Sequence, residues 1–339
     1  MSRLTQYSKV YKPFAYPWAM EYTEDHEKIH WGSWEAKLQD DVNQWKNKEI
    51  STQEKDHITN ILRIFTQSDV AVGGNYCDIF IKEFKNNEIR NMLLSFANRE
   101  GTHQRSYALL NDTLGMHESE YSAFLQFKEM SDKIDFMMQP PATLKNKKQR
   151  LAFELARSVC NEGMSLFSAF VMLLNYQRFG KMKGMCEIVE WSIRDETKHV
   201  EGMVKLFHTY CNENPEVVND NLKSYIYKNY ELAVELEDSL VDLVYNHLDG
   251  DLILLDLSKD QIKTYVRYLA DRRLLQLGLK PIFKQKTNPI LWLDWVVSGD
   301  SFKNFFEGTV TDYNASGMIG DFDNDLYLQI LQPTKELTL

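Results

Sequence analysis

Glycine and proline are scarce in this chain, 15 and 8 in 339 residues, against the usual ~7% and ~5%. The prolines also cluster, leaving none between Pro17 and Pro140 or between Pro141 and Pro215. A β-rich chain needs turn residues every ~8–12 positions, so these stretches predict long helices. No basic run exists, and 39 Lys+Arg against 49 Asp+Glu leave a formal charge of −10. That balance excludes nucleic acid and anionic membrane as natural partners. Nor is there a run of the ~18 apolar residues that a membrane span requires. The longest uncharged segment, Gly163 to Gln177, carries Asn175 and Gln177 and reads as a buried helix. The opening MSRLTQYSKVYKPF lacks the apolar core of a signal peptide. The four cysteines (Cys77, Cys160, Cys186, Cys211) have no paired spacing for zinc or a disulfide framework, which predicts free thiols in a reducing cytoplasmic setting.

What is present is globular: 43% hydrophobic and 26% charged residues. Residues 1–50 read as irregular and rich in Trp and Tyr. Ser51-Thr-Gln-Glu54 is a capping-box pattern that should open a helix. Apolar periodicity then marks segments at about 51–84, 86–113, 146–179, 181–211, 220–247 and 259–278. Pro140–Pro141 and the charged stretch 145–150 interrupt them as a loop. The pattern weakens after Pro281, and from about Ala315 the tail is acidic. The expected organisation is all-α: an irregular N-terminal segment 1–50, a helical domain 51–300, and a C-terminal segment 301–339.

Four of these helices place acids where apolar residues belong. On the first seam Ile58, Leu62, Phe65, Asp69, Val72, Tyr76 and Ile79 follow a 4-3-4-3 spacing, and on the second so do Ile89, Leu93, Phe96, Glu100, His103, Tyr107 and Leu110. The third carries Leu155, Val159, Glu162, Leu166, Phe170 and Leu173; the fourth carries Met185, Val189, Ser192, Glu196, His199, Met203 and Leu206. Burying an ionised carboxylate without a partner is prohibitive, so a cation is implied. Asp69, Glu100, Glu162 and Glu196 with His103 and His199 could hold two divalent ions, each imidazole serving one of them. The i, i+3 spacing of Glu and His keeps both donors on one side of a helix. This is the pattern of ferritin-like dimetal-carboxylate bundles, with Asp69 in place of one glutamate.

Glu-x-x-His occurs four times, where chance gives roughly 0.6 occurrences at this composition. Glu27–His30 lies in a polar run. Glu54 has a capping role to fill, and His57 is expected on a wet face beside Gln53 and Asn60. The other two pairs sit on apolar seams, where the bland reading is a buried salt-bridge network. Tyr107 stands one turn beyond His103, so a buried phenol would lie next to the ions and could supply one electron if water is excluded.

With these residues in view, the chain resembles the small, radical-generating (β) subunit of class I ribonucleotide reductase. The resemblance is carried by Asp69, by Glu100-Gly-Thr-His103-Gln-Arg-Ser-Tyr107, by Glu162 and by Arg194-Asp195-Glu196-Thr-Lys-His199. It extends to Trp31…Asp41, to Tyr268-Leu-Ala-Asp-Arg-Arg-Leu-Leu-Gln-Leu-Gly-Leu and to Phe305-Phe-Glu-Gly-Thr-Val-Thr-Asp-Tyr313, and covers about 30–315. It implies that Asp69, Glu100, His103, Glu162, Glu196 and His199 ligate two metal ions, iron, manganese or one of each. Tyr107 matches the tyrosine oxidised to a stable radical, although related subgroups keep the oxidising equivalent on the metals. Trp31, Asp195 and His103 match the electron–proton relay, and Tyr313 the tail tyrosine that hands the radical to the large subunit, where ribonucleotides are reduced. It further implies a homodimer, and activation by oxygen or by superoxide from a flavoprotein activase. The family usually follows its relay tryptophan with a proline and paired acids; here Trp31-Gly-Ser-Trp34-Glu35 offers a second tryptophan, and Tyr327 competes with Tyr313. Two rival functions share the pattern: a ferritin-like oxidase or monooxygenase acting on its own substrate, and an iron-storage or structural bundle.

Overall fold

The computed structural model describes residues 3–138, 144–246 and 253–293. Among these residues the principal helices are α1 (Pro17–Lys28), α2 (Gln39–Lys46), α3 (Thr52–Asn75), α4 (Ile81–Glu83), α5 (Asn87–Leu114), α6 (Glu120–Ala123), α7 (Lys128–Met138), α8 (Lys147–Gly163), α9 (Phe167–Leu174), α10 (Lys183–Glu213), α11 (Asp220–Asn246) and α12 (Lys259–Gln276). A π-helical turn, Tyr76–Phe80, joins α3 to α4. The only β structure among the described residues is a two-residue hairpin, Ile253–Leu254 against Leu257–Ser258, closed by Leu255 and Asp256 at positive φ. No helix among these residues is long and apolar enough to cross a membrane. All four cysteines are free, and all but Cys77 are buried.

The helix starts are chemically specified. Ser51 Oγ accepts from Glu54 N at 3.2 Å while Glu54 Oε2 accepts from Ser51 N at 2.8 Å, the reciprocal cap expected from the sequence. Asn86 Oδ1 takes the N–H groups of Glu88 and Ile89 to open α5. Asp41 of α2 receives Gly184 N and Met185 N at the start of α10, satisfying donors that a helix N-terminus leaves orphaned. The long helices pair as α3 with α5 and α8 with α10, and α5 meets α10, so four seams converge on one interior. Phe65, Phe96, Phe170 and Leu206 are among its fully buried residues. Helix α1 covers α5, and α11 crosses α7, α8 and α12.

Three features differ from the sequence reading. Residues 1–50 are not irregular throughout: α1 and α2 lie within them, and α1 buries Ala19, Thr23 and His26. The predicted helix 146–179 breaks between Gly163 and Phe167. A buried Arg273 donates to the Gly163 carbonyl at 2.9 Å, and Lys133 donates to that of Ser165. Phe167 N, which a continuous helix would give to Gly163, turns instead to Met164 O. The interhelical stretch 115–146 also contains the amphipathic α7, whose Lys133 reaches Glu237 of α11.

Candidate dimetal centre

The six expected ligands come together. Asp69 projects from α3, Glu100 and His103 from α5, Glu162 from α8, and Glu196 and His199 from α10, and each is buried. Two overlapping groups form: Asp69, Glu100, His103 and Glu196, and Glu100, Glu162, Glu196 and His199. His103 Nδ1 lies 3.3 Å from Glu196 Oε1 and 3.6 Å from Glu100 Oε2. His199 Nδ1 lies 3.0 Å from Glu100 Oε1, 3.2 Å from Glu162 Oε2 and 3.4 Å from Glu196 Oε2. Glu100 and Glu196 therefore face both imidazoles, as groups shared between two ions would.

The donor chemistry fits a pair of divalent cations. Asp69 Oδ2 and both oxygens of Glu100 and Glu196 are buried without a hydrogen-bond partner, a cost that native proteins avoid unless a cation compensates it. Four carboxylates balance two dications, and mixed oxygen and imidazole donors suit iron or manganese. The protonation pattern agrees. Burial holds Asp69 well above the usual carboxylate range and pushes Glu162 up to about 7. Burial alone would depress His103 and His199, but the carboxylates that face them hold both well above their ordinary range. Protons on these groups thus occupy the site that metal would take, and metal binding displaces them.

Behind His103, its Nε2 meets Asp195 Oδ2 at 3.2 Å, and the same oxygen accepts Trp31 Nε1 at 2.6 Å. Arg99 Nε approaches it at 3.4 Å. Burial would raise Asp195, yet His103 and Arg99 keep it below the usual carboxylate range. The Trp31 ring stacks on His103 at 5.9 Å and meets Trp191 at 4.9 Å. Trp34, the competing tryptophan, is 76% exposed. Tyr107 is buried, donates to Ser192 Oγ at 2.8 Å, and packs edge-on against Phe65 at 4.5 Å. Burial raises its phenol well above the ordinary value. Tyr313 and Tyr327 lie outside the described residues.

Neither decoy pair joins the centre. Glu27 and His30 are exposed. His57 is a correction: it is buried, not wet, with Nδ1 3.0 Å from the Tyr176 hydroxyl, because α3 buries that face against the Tyr176 and Tyr245 rings. Sequence reasoning missed two groups beside His199. His26 places Nε2 3.2 Å from His199 Nε2 and Nδ1 2.8 Å from Ser95 Oγ; its only signal was the 4-3 spacing of Ala19, Thr23 and His26 within a polar run. Tyr76 stood on the first seam as an apolar core residue, but its hydroxyl donates to Glu162 Oε2 at 2.6 Å.

Comparison with known proteins agrees with this geometry. The family model "Ribonucleotide reductase, small chain" matches residues 8–289. The chain is 38% identical over 339 residues to "Probable ribonucleoside-diphosphate reductase small subunit 376L" of Invertebrate iridescent virus 6, covering 89% of this chain and 93% of that one. It is 31% identical over 316 residues to the "Ribonucleoside-diphosphate reductase subunit beta" of Chlamydia pneumoniae, covering 90% of each. Its fold matches the solved structure of Streptococcus sanguinis dimanganese(II)-NrdF with a TM-score of 0.70 at 20% identity, over 84% of this chain and 97% of the other.

Proposed function

The chain belongs to the ribonucleotide reductase small-chain family, and from that premise we propose that Tyr107 stores a one-electron oxidising equivalent that Asp195 and Trp31 pass toward a large subunit. Bound at the six ligands, two iron or manganese ions would supply the oxidising power. The dimanganese(II) Streptococcus sanguinis relative supports manganese as one of the candidates.

The observation that carries the reading is the double use of Asp195 Oδ2, which accepts the Trp31 indole and faces His103. An electron leaving Trp31 toward His103 can be matched by its Nε1 proton moving to that oxygen, so no isolated charge forms in the interior. Tyr107 obeys the same constraint. Its burial disfavours the phenolate, so the electron would leave toward the bound ions together with the phenol proton, which leaves by way of the Ser192 hydroxyl it bonds, and a neutral radical would remain. Phe65 and the seam residues around it exclude water that would quench such a radical. Residues 51–300 then act as the helical body, and 301–339 as the docking tail, with Tyr313 as the exit residue. The functional unit is a homodimer paired with the large subunit, activated by oxygen or through a flavoprotein.

A ferritin-like oxidase with its own substrate would need a cavity at the ligands. Mixing the metal-loaded protein with its cognate large subunit tests the proposal: ribonucleotide reduction that requires both proteins is expected, and Asp195→Asn should abolish it while retaining both ions. Turnover of an organic substrate by this chain alone would overturn it.

A further inference from the structure

Glu162 differs from the other three carboxylates. Each of its oxygens receives a neutral hydrogen-bond donor, Oε2 from Tyr76 at 2.6 Å and Oε1 from Ser158, one turn earlier on α8. Glu100 and Glu196 have no donor at either oxygen other than the facing imidazoles. Tyr76 comes seven residues after Asp69, two helical turns along the same face of α3, so that helix sends Asp69 to the His103 half and Tyr76 to the His199 half. Tyr76 begins the π-helical turn, a departure from α geometry that recurs at functional sites. Its ring is fully buried against Phe80, Phe96 and His199 at 5.8, 6.2 and 6.0 Å, which fixes where the hydroxyl points.

A carboxylate held at both oxygens cannot turn about its terminal bond without losing a buried hydrogen bond, and each oxygen keeps only part of its lone-pair capacity for a cation. Glu162 faces His199 and not His103. We propose that Tyr76, seconded by Ser158, is a positioning residue that locks Glu162 onto the ion on the His199 side, giving that half of the centre a carboxylate of fixed orientation. This rests on the dimetal reading above. The clamp acts on one ion, so its loss should weaken one site and spare the other.

The test is titration of metal-free protein with Mn(II), reading the free ion by its six-line paramagnetic resonance signal. Wild type should bind two equivalents. Tyr76→Phe keeps the ring and deletes only the donor; it should weaken one equivalent by about 10–100-fold, the usual effect of losing an outer-shell partner, and leave the other unchanged. Ser158→Ala should do the same to a smaller degree. Glu162→Gln should weaken that same equivalent, and adding Tyr76→Phe to it should cost nothing further, since the two act through one contact. Equal weakening of both equivalents, or losses that add, would make Tyr76 a packing residue and overturn the proposal. Unchanged binding in Tyr76→Phe with a clear loss in Glu162→Gln would overturn the clamp alone. Unchanged binding in Glu162→Gln would overturn the dimetal reading itself, and the clamp with it.

Discussion

Loading this centre with divalent metal must discharge protons, and the number is set by the buried ligands. His103 and His199 are held well above their ordinary range by surrounding carboxylates, so an incoming ion competes with protons at both imidazoles. Burial raises Asp69 as well, and Glu162 from 4.5 to about 7. For Glu162 the folded value lies above the unfolded one, so the metal-free fold binds the extra proton. That contribution to stability is fully present below pH 4.5 and lost as pH rises through about 7, an effect on the order of 3 kcal/mol. Metal affinity runs the other way and strengthens with pH. From pH 8 to pH 6 the protonated fraction of a group titrating near 7 climbs from roughly 0.1 to roughly 0.9. Proton release should therefore grow by roughly 0.8 per chain, and Glu162 alone should weaken binding about tenfold. Calorimetric titration of Mn(II) in buffers of different ionisation enthalpy measures this directly. Proton release is expected on binding, and the release at pH 6 should exceed that at pH 8 by the Glu162 fraction. No proton release, or the same release at both pH values, would refute the argument that protons on these ligands stand in for metal.

Tyr107→Phe should bind both ions and lose the tyrosyl paramagnetic signal after iron loading and exposure to oxygen; full nucleotide reduction by this variant would place the oxidant on the metals. Gly202→Ala would set a Cβ 2.8 Å from the Phe96 ring, which itself leans on His199 at 4.6 Å. Overpacking of this kind costs about 1–3 kcal/mol, so a melting temperature several degrees lower is expected, and an unchanged melt would show that Phe96 has room to move. Truncation after Ser301 should preserve metal binding and any radical while abolishing turnover with the large subunit; retained turnover would remove the tail from the radical path. Sedimentation should give about twice the 39.8 kDa chain mass, and a monomer at micromolar concentration would count against the homodimer.

The ligand set was legible because acids on apolar seams have no cheap alternative explanation. Asp69, Glu100, Glu162 and Glu196 interrupt regular 4-3 spacing, and an uncompensated buried carboxylate is too costly to be incidental. Tyr107 could be placed for a similar reason, since one helical turn separates it from His103. His26 and Ser158 offered no comparable signal. A histidine among acids and a serine in a helix are ordinary surface residues until another helix covers them. His57 was misjudged on the same ground, because its neighbours in sequence are polar while its neighbours in space are Tyr176 and Tyr245.

Sequence alone determined the periodicity of the helices, the cap at Ser51, and which six side chains must share a cation-bearing interior. Those properties are local: they follow from 3.6-residue geometry and from the cost of burying charge, and both can be read along one helix at a time. The break of α8 at Gly163 was a tertiary decision, since Arg273 from α12 and Lys133 from α7 bond carbonyls that the helix would otherwise keep. So was the burial of Trp31 rather than Trp34, set by Asp195 on α10 and His103 on α5. The division of the four carboxylates had the same origin. On its seam Glu162 is equivalent to Glu196; the approach of Tyr76 from the π-helical turn after α3, a partner 86 positions away in the chain, gives its Oε2 a neutral donor that Glu196 lacks.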